Sequence, residues 1–146
     1  MLIGFDDKYF DTCAEIYFTM FTAPEWDFHW LTLNNARRYL RDVVAAPRFR
    51  GFIFMYENRA AGFCLGEVSD YFSAAQYRIR EIFIDPILQG KGHGSAFLAD
   101  IEADLKQSGI DIIVLSTSKS VRAFKFYLKN GYIVSQETVF LVKPLQ

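Results

Sequence analysis

The stretch QGKGHGS, residues 89–95, sets Gly90, Gly92 and Gly94 at alternate positions, with Gln89, Lys91, His93 and Ser95 between and around them. Glycine leaves main-chain N–H groups uncovered, and successive N–H groups in a turn form a nest that holds an anion. The run before it, YRIREIFI (77–84), has strand character and the run after it is helical. The turn therefore feeds a helix N-terminus, whose free amides and positive dipole end attract phosphate. Lys91 adds a charge to that site, Gln89 an amide and His93 its N–H. A second chemical candidate is Glu81. Period-2 alternation in YRIREIFI puts Tyr77, Ile79, Glu81 and Phe83 on one face. Burial among apolar neighbours raises a carboxyl's pKa, which suits it to take a proton from an amine, directly or through water. Glu67 is its rival, sharing a face with Phe63 and Leu65, and each carboxylate has Arg78 or Arg80 as an alternative ion-pair partner.

The elements that must hold these residues follow from periodicity. Phe10, Cys13, Ala14, Tyr17, Phe18 and Phe21 repeat at helical spacing, with Asp6 or Asp7 as N-cap and Pro24 beyond the end. A second helix fits 32–46 through Ala36, Tyr39, Leu40, Val43 and Val44, so the patterns place two helices ahead of any strand. GFIFMY (51–56) and AGFCLGEV (61–68) read as a hairpin across ENRA, followed by a polar connection over 70–76. The strand at 77–84 stops at Asp85-Pro86, because proline cannot donate to a ladder. Phe97, Leu98, Ile101 and Leu105 form the next helical stripe, with Lys106 in its last turn and Gly109 as its cap. IDIIVL (110–115) is expected to be a strand covered on both faces, completing a βαβ unit. A last helix starts at Ser120, runs through Val121, Phe124, Tyr127 and Leu128, and closes at Asn130-Gly131. YIVSQETVFLVK (132–143) then supplies one or two final strands.

Composition narrows the partners. A chain of 146 residues, 51% hydrophobic with 15 Phe, 8 Tyr and 2 Trp, is expected to form one domain over 1–146 with a large core. A net charge of -1 gives no general pull toward nucleic acid, which is not expected as a partner. Cys13 and Cys64 sit in apolar patterns as reduced core thiols, and His29 and His93 have no ligand-like spacing to them, so no metal is expected. No run approaches 18 apolar residues and the first ten carry charges, which implies a cytoplasmic protein without a membrane partner.

Spacing separates the phosphate-loop types. Walker A requires Gly-Lys-Ser/Thr, whereas Lys91 precedes Gly92. The dinucleotide fingerprint is nearly met by Gly90, Gly92 and Ser95, but it demands an acid roughly 20 residues on, where this chain has Leu115, Ser116 and Thr117. Gln/Arg-x-x-Gly-x-Gly/Ala is met by Gln89, Gly92 and Gly94. Here the sequence resembles the GCN5-related N-acetyltransferases (GNAT), and FYLKNGY (126–132), about 35 residues further on, resembles their second signature.

The resemblance implies an α/β fold with a mixed sheet, in the order β-α-α-β-β-β-α-β-α-β(-β). It also implies acetyl-CoA as co-substrate and acetyl transfer to a primary amine. By the motif match, Tyr127 protonates the departing thiolate, main-chain groups of Phe83 and Ile84 bind the pantetheine arm and acetyl oxygen, and residues 89–95 hold the pyrophosphate. Ser120 either touches the cofactor or caps its helix. Ribosomal-type protein N-acetyltransferases carry a glutamate and an asparagine where this chain has Leu115 and Ser120, which favours a small amine over a protein or peptide acceptor. TAPEWDFHW (22–30) resembles the acceptor-lining stretch of aminoglycoside acetyltransferase-like members, and its Glu25 and Asp27 among aromatics suit a cation. A non-catalytic CoA-binding module is the alternative from another functional class, and the final strands offer an edge for a homodimer.

Overall fold

Asp6 starts the helical part of the chain. Its side chain accepts from the Lys8 N–H at 2.9 Å, opening a 3-10 turn (Asp7–Tyr9) that runs into helix α1 (Phe10–Thr22). Helix α2 (Leu33–Val44) is capped by Thr32, whose hydroxyl accepts from the Asn35 N–H at 3.0 Å, satisfying one of the amides a helix start leaves over. In this computed structural model the described residues are 1–23, 31–71 and 74–146. They fall into two units, Met1–Leu115 and Ser116–Gln146.

A strand precedes the helices, which corrects the residue-pattern reading that began with two helices: β1 (Leu2–Gly4) pairs with β2 (Phe49–Tyr56), Ile3 opposite Ile53. Three residues are too few to display alternation, so only the pairing reveals the strand. β2 and β3 (Arg59–Tyr71) form the expected hairpin. Its turn is only Glu57 and Asn58, both at positive φ (48 and 62), as a primed two-residue turn requires. β3 and β4 (Ala74–Ile84) pair out to Tyr71 opposite Ala74, so strand occupies much of the stretch expected to be a polar connection. The sheet order is β1-β2-β3-β4-β5, antiparallel except where β4 meets β5 (Ile112–Val114) in parallel. The expected doubly covered strand at 110–115 is thus corrected to a three-residue strand at the end of that order, with Ile112 50% exposed.

Helices α1 and α2 cover one face of the sheet, where Phe10, Cys13, Ala14, Met20, Leu40 and Val43 pack with Ile53, Phe63 and Leu65. Each Phe, Leu, Ile, Val or Met side chain among them, fully buried, contributes on the order of 1.5–3 kcal/mol. On the other face the Phe54 ring lies 5.5 Å from Phe97 of helix α3 (His93–Gln107). Tyr77 is buried beside Phe52 on that face, and its hydroxyl donates to the Arg50 carbonyl at 2.7 Å. Gly66 makes room for it, since a Cβ there would strike the Arg78 carbonyl and the Tyr77 ring. Cys13 and Cys64 are free and lie on opposite faces, and burial pushes both thiols up to about 12.

In the second unit, helix α4 (Arg122–Lys129) closes at Asn130 and Gly131 as expected, the Gly131 N–H donating to the Leu128 carbonyl at 3.1 Å. The final strands expected over 132–143 are not present as strands among the described residues. Ile133, Val139, Phe140 and Leu141 are all exposed there. Apolar, β-branched sequence becomes a strand only when a neighbouring edge takes its hydrogen bonds.

Candidate active site

One extra residue decides which face the key carboxylate occupies. Along the β3–β4 ladder Glu81 lies opposite Leu65, but Ile79 lies opposite the next residue, Gly66, leaving Arg80 as a bulge on β4. Bulges break the period-2 rule. Tyr77 and Ile79 therefore stay on the α3 face, while Glu81 and Phe83 turn to the α1/α2 face, where Phe83 pairs with Phe63. The expectation that all four share one face is corrected accordingly. The same step brings Glu81 and its rival Glu67 onto one face.

Glu81 is half-buried there, on the face that also carries a cluster of aromatic rings. Tyr17 of α1 sits 4.7 Å from Phe21, 5.7 Å from Tyr39 of α2 and 5.7 Å from Phe83, centroid to centroid. Phe21 and Phe63 lie 5.3 and 5.7 Å from Phe83. The Tyr39 hydroxyl donates to Glu81 Oε1 at 3.2 Å. Desolvation pushes the Glu81 carboxyl up to about 7, against the opposing pull of the Tyr39 hydrogen bond and the Arg80 charge. Burial, then the Glu81 charge, also raises the pKa of both tyrosines, so near neutral pH their hydroxyls remain donors. Glu67 has the ion-pair role instead, accepting from Arg80 Nη1 at 3.3 Å. Tyr39 was legible only as part of the α2 core stripe, although a buried tyrosine does signal a hydroxyl in need of a partner.

β4 also offers an open edge. Its pairing with β5 covers only Gln76, Tyr77 and Arg78, and β4 runs on to Ile84. The Asp85 N–H donates to the Ala61 carbonyl at 2.8 Å, so Ile84 and Gly62 form a non-hydrogen-bonded pair. The main-chain groups of Ile84, and by alternation those of Ile82, point away from β3 toward the open side. Those of Phe83 face β3, and its ring belongs to the aromatic cluster on the Glu81 face. Ile82 was not singled out in the sequence, because main-chain direction leaves no mark on residue type.

The glycine loop follows directly. A 3-10 turn (Pro86–Leu88), capped by Asp85 through the Ile87 N–H at 3.1 Å, leads into Gln89. Gly90 and Gly92 take left-handed φ of 77 and 85, and a Cβ at either would meet nothing within 4 Å. Here conformation demands glycine, while the space beside it stays open. Gly92 is the N-cap of α3 and supplies no side chain to the helix start, so the amides of His93, Gly94 and Ser95 open the helix toward that space. This cradle fits a diphosphate. Lys91 is exposed at its rim. The His93 ring packs 5.0 Å from Tyr56 and 5.7 Å from Phe54, which leaves its main chain for the anion.

Two further residues singled out in the sequence lie in the second unit. Tyr127 is buried on α4, its ring 5.4 Å from Phe126 and 5.5 Å from Tyr132. The expectation that Ser120 caps α4 is corrected: Val121 is the N-cap, and Ser120 Oγ lies 2.8 Å from Ser118 Oγ. Of the expected acceptor-lining stretch, only Thr22 and Ala23 are described, and Glu25, Asp27 and His29 lie outside the described residues.

Comparison with known proteins bears on the family and the fold. The family model for the acetyltransferase (GNAT) domain matches residues 28–141. The chain is 33% identical over 148 residues to a tRNA(Met) cytidine acetyltransferase of Thermofilum pendens, covering 86% of this chain but only 18% of that protein. Among solved structures, a possible acetyltransferase from Clostridium difficile 630 superposes with a TM-score of 0.80 at 12% identity, over 100% of this chain and 98% of that one. An aminoglycoside acetyltransferase from an uncultured soil sample, in complex with sisomicin, has a TM-score of 0.73 at 13% identity, over 100% of this chain and 96% of that one. At such identities the likeness speaks for the fold.

Proposed function

Since this chain belongs to the acetyltransferase (GNAT) family, we propose that it transfers an acetyl group from acetyl-CoA to the primary amine of a small cationic molecule. The observation that carries the reading is the half-buried Glu81 carboxyl, pushed up to about 7, hydrogen-bonded by Tyr39 and sharing its face of the sheet with the Tyr17, Tyr39 and Phe83 ring cluster. Aromatic faces and a carboxylate attract an ammonium group. A carboxyl that titrates near neutrality accepts its proton, leaving the neutral amine that acyl transfer needs.

The residues divide the remaining work. The amides opening α3, with Lys91 at their rim, hold the pyrophosphate of CoA; Gln89, whose side chain donates to the Ile84 carbonyl, braces that loop; and the open edge at Ile82 and the Ile84 N–H holds the pantetheine arm. The amine nitrogen attacks the thioester carbonyl, the carbon–sulfur bond breaks, and the thiolate takes a proton. Tyr127 is assigned that proton on the family motif alone.

A second reading has its own support. The match to a cytidine acetyltransferase covers most of this chain, and aromatic rings beside a carboxyl also suit a nucleobase amine, which stacks on such rings. Thiol release from acetyl-CoA, followed over aminoglycosides, polyamines, peptides and a cytidine-containing RNA, decides between them. Release with the small cations supports the first reading. Release with RNA or peptide alone replaces it. Acetyl-CoA protection against heating without release from any acceptor leaves a binding module.

A further inference from the structure

Tyr39 belongs to α2 and Glu81 to β4, 42 residues apart, yet they share the hydrogen bond from the tyrosine hydroxyl to Oε1 at 3.2 Å. From this geometry we infer that Tyr39 is the positioning residue of the acceptor base: it holds one carboxylate oxygen and leaves Oε2 as the oxygen that meets the amine. The inference rests on the reading of Glu81 as base.

The neighbours make this arrangement specific. Three elements bring titratable or charged groups to Glu81: Tyr17 from α1, Tyr39 from α2 and, on β4, Arg80, whose guanidinium also engages Tyr39 and Glu67. The Glu81 charge helps keep the Tyr17 hydroxyl protonated, and the Tyr17 ring contacts Phe21, Tyr39 and Phe83. Arg80 has its own ion pair with Glu67. Tyr39 is thus placed to orient the carboxylate while its ring packs on Tyr17. A hydrogen bond to the charged form also stabilises that form. Without it, desolvation would drive the carboxyl further toward its neutral, non-basic state. In the step that follows, the ammonium proton passes to Oε2, the electron pair stays on nitrogen, and the carboxyl later returns the proton to water.

The test is a carboxyl-carbon NMR titration of the full chain carrying ¹³C-labelled glutamate, with the Glu81 signal assigned by its loss in Glu81→Gln. Tyr39→Phe keeps the ring and removes only the hydroxyl. It is expected to raise the Glu81 midpoint by about half a pH unit or more, with far-UV circular dichroism and melting temperature close to the parent. A midpoint unmoved in folded Tyr39→Phe overturns the inference. If Tyr39→Phe fails to fold, Tyr39→Leu replaces it, keeping an apolar side chain with no donor, under the same criterion. The titration requires no acceptor, so failure of the base reading is seen separately, as thiol release by Glu81→Gln at the parent rate.

Discussion

The Gln89 side-chain amide donates to the Ile84 carbonyl at 3.0 Å, tying the first residue of the glycine loop back to the open edge of β4. The same nitrogen lies 3.2 Å from Met20 Sδ on α1. Its main-chain N–H donates to the Pro86 carbonyl at 3.2 Å, so Gln89 braces the loop and acts on a ligand through the loop's shape. Gln89→Ala is expected to lower stability by about 1 kcal/mol and to weaken acetyl-CoA binding by a factor of roughly 3–10. Urea melts and calorimetric titration read the two effects, and acetyl-CoA affinity equal to the parent would falsify the brace.

The pyrophosphate site is better tested at Gly94 than at Gly92. Gly92 has φ of 85, so any L side chain there strains the backbone at a cost of roughly 1–2 kcal/mol whether or not phosphate binds. Gly94 lies in the first turn of α3, and a helical Cβ tilts toward the N-terminus, where the anion would sit. Gly94→Val is expected to leave the melting temperature within a few degrees while cutting acetyl-CoA affinity at least tenfold. Undiminished binding would place the pyrophosphate elsewhere.

The Glu81 carboxyl gives a pH signature in two measurements. As a base it works ionised, so kcat/KM should climb as pH rises through about 7, and Glu81→Gln should lose that limb along with most of the rate. Stability runs the other way. The folded value of about 7 lies above the ordinary 4.5, so the folded chain keeps a proton that the unfolded chain releases. That contribution is whole below about 4.5 and is lost as pH rises through about 7. Glu81→Gln still accepts from Tyr39, so its melting temperature relative to the parent should improve between pH 5 and pH 8. A constant difference would mean the carboxyl titrates at its ordinary value.

Tyr127→Phe should lower kcat by roughly two orders of magnitude or more, in keeping with the loss of a general acid. Acetyl-CoA affinity should hold, since only the hydroxyl is removed from a ring packed between Phe126 and Tyr132. Turnover unchanged by the substitution removes the acid role.

Residue order by itself determined the parts of this protein that rest on local rules. Helical spacing located α1, α2, α3 and α4, the Asn130-Gly131 stop marks a helix boundary, and alternate glycines marked the turn between β4 and α3, whereas the cap expected of Asp6 or Asp7 on α1 opens the preceding 3-10 turn instead. Family membership was legible for the same reason: its motifs are short runs of residue types. What depended on partners distant along the chain was settled by tertiary structure. The bulge at Arg80 is one unmatched residue in a ladder, invisible to alternation, yet it moves Glu81 to the face where Tyr17 and Tyr39 stand. The short β4–β5 pairing opens the edge at Ile82 and Ile84, and no side-chain pattern records which way a main-chain group points. A side chain's type reports its own preference for water or apolar surroundings. The neighbour it meets there is fixed by the register of strands and the packing of helices.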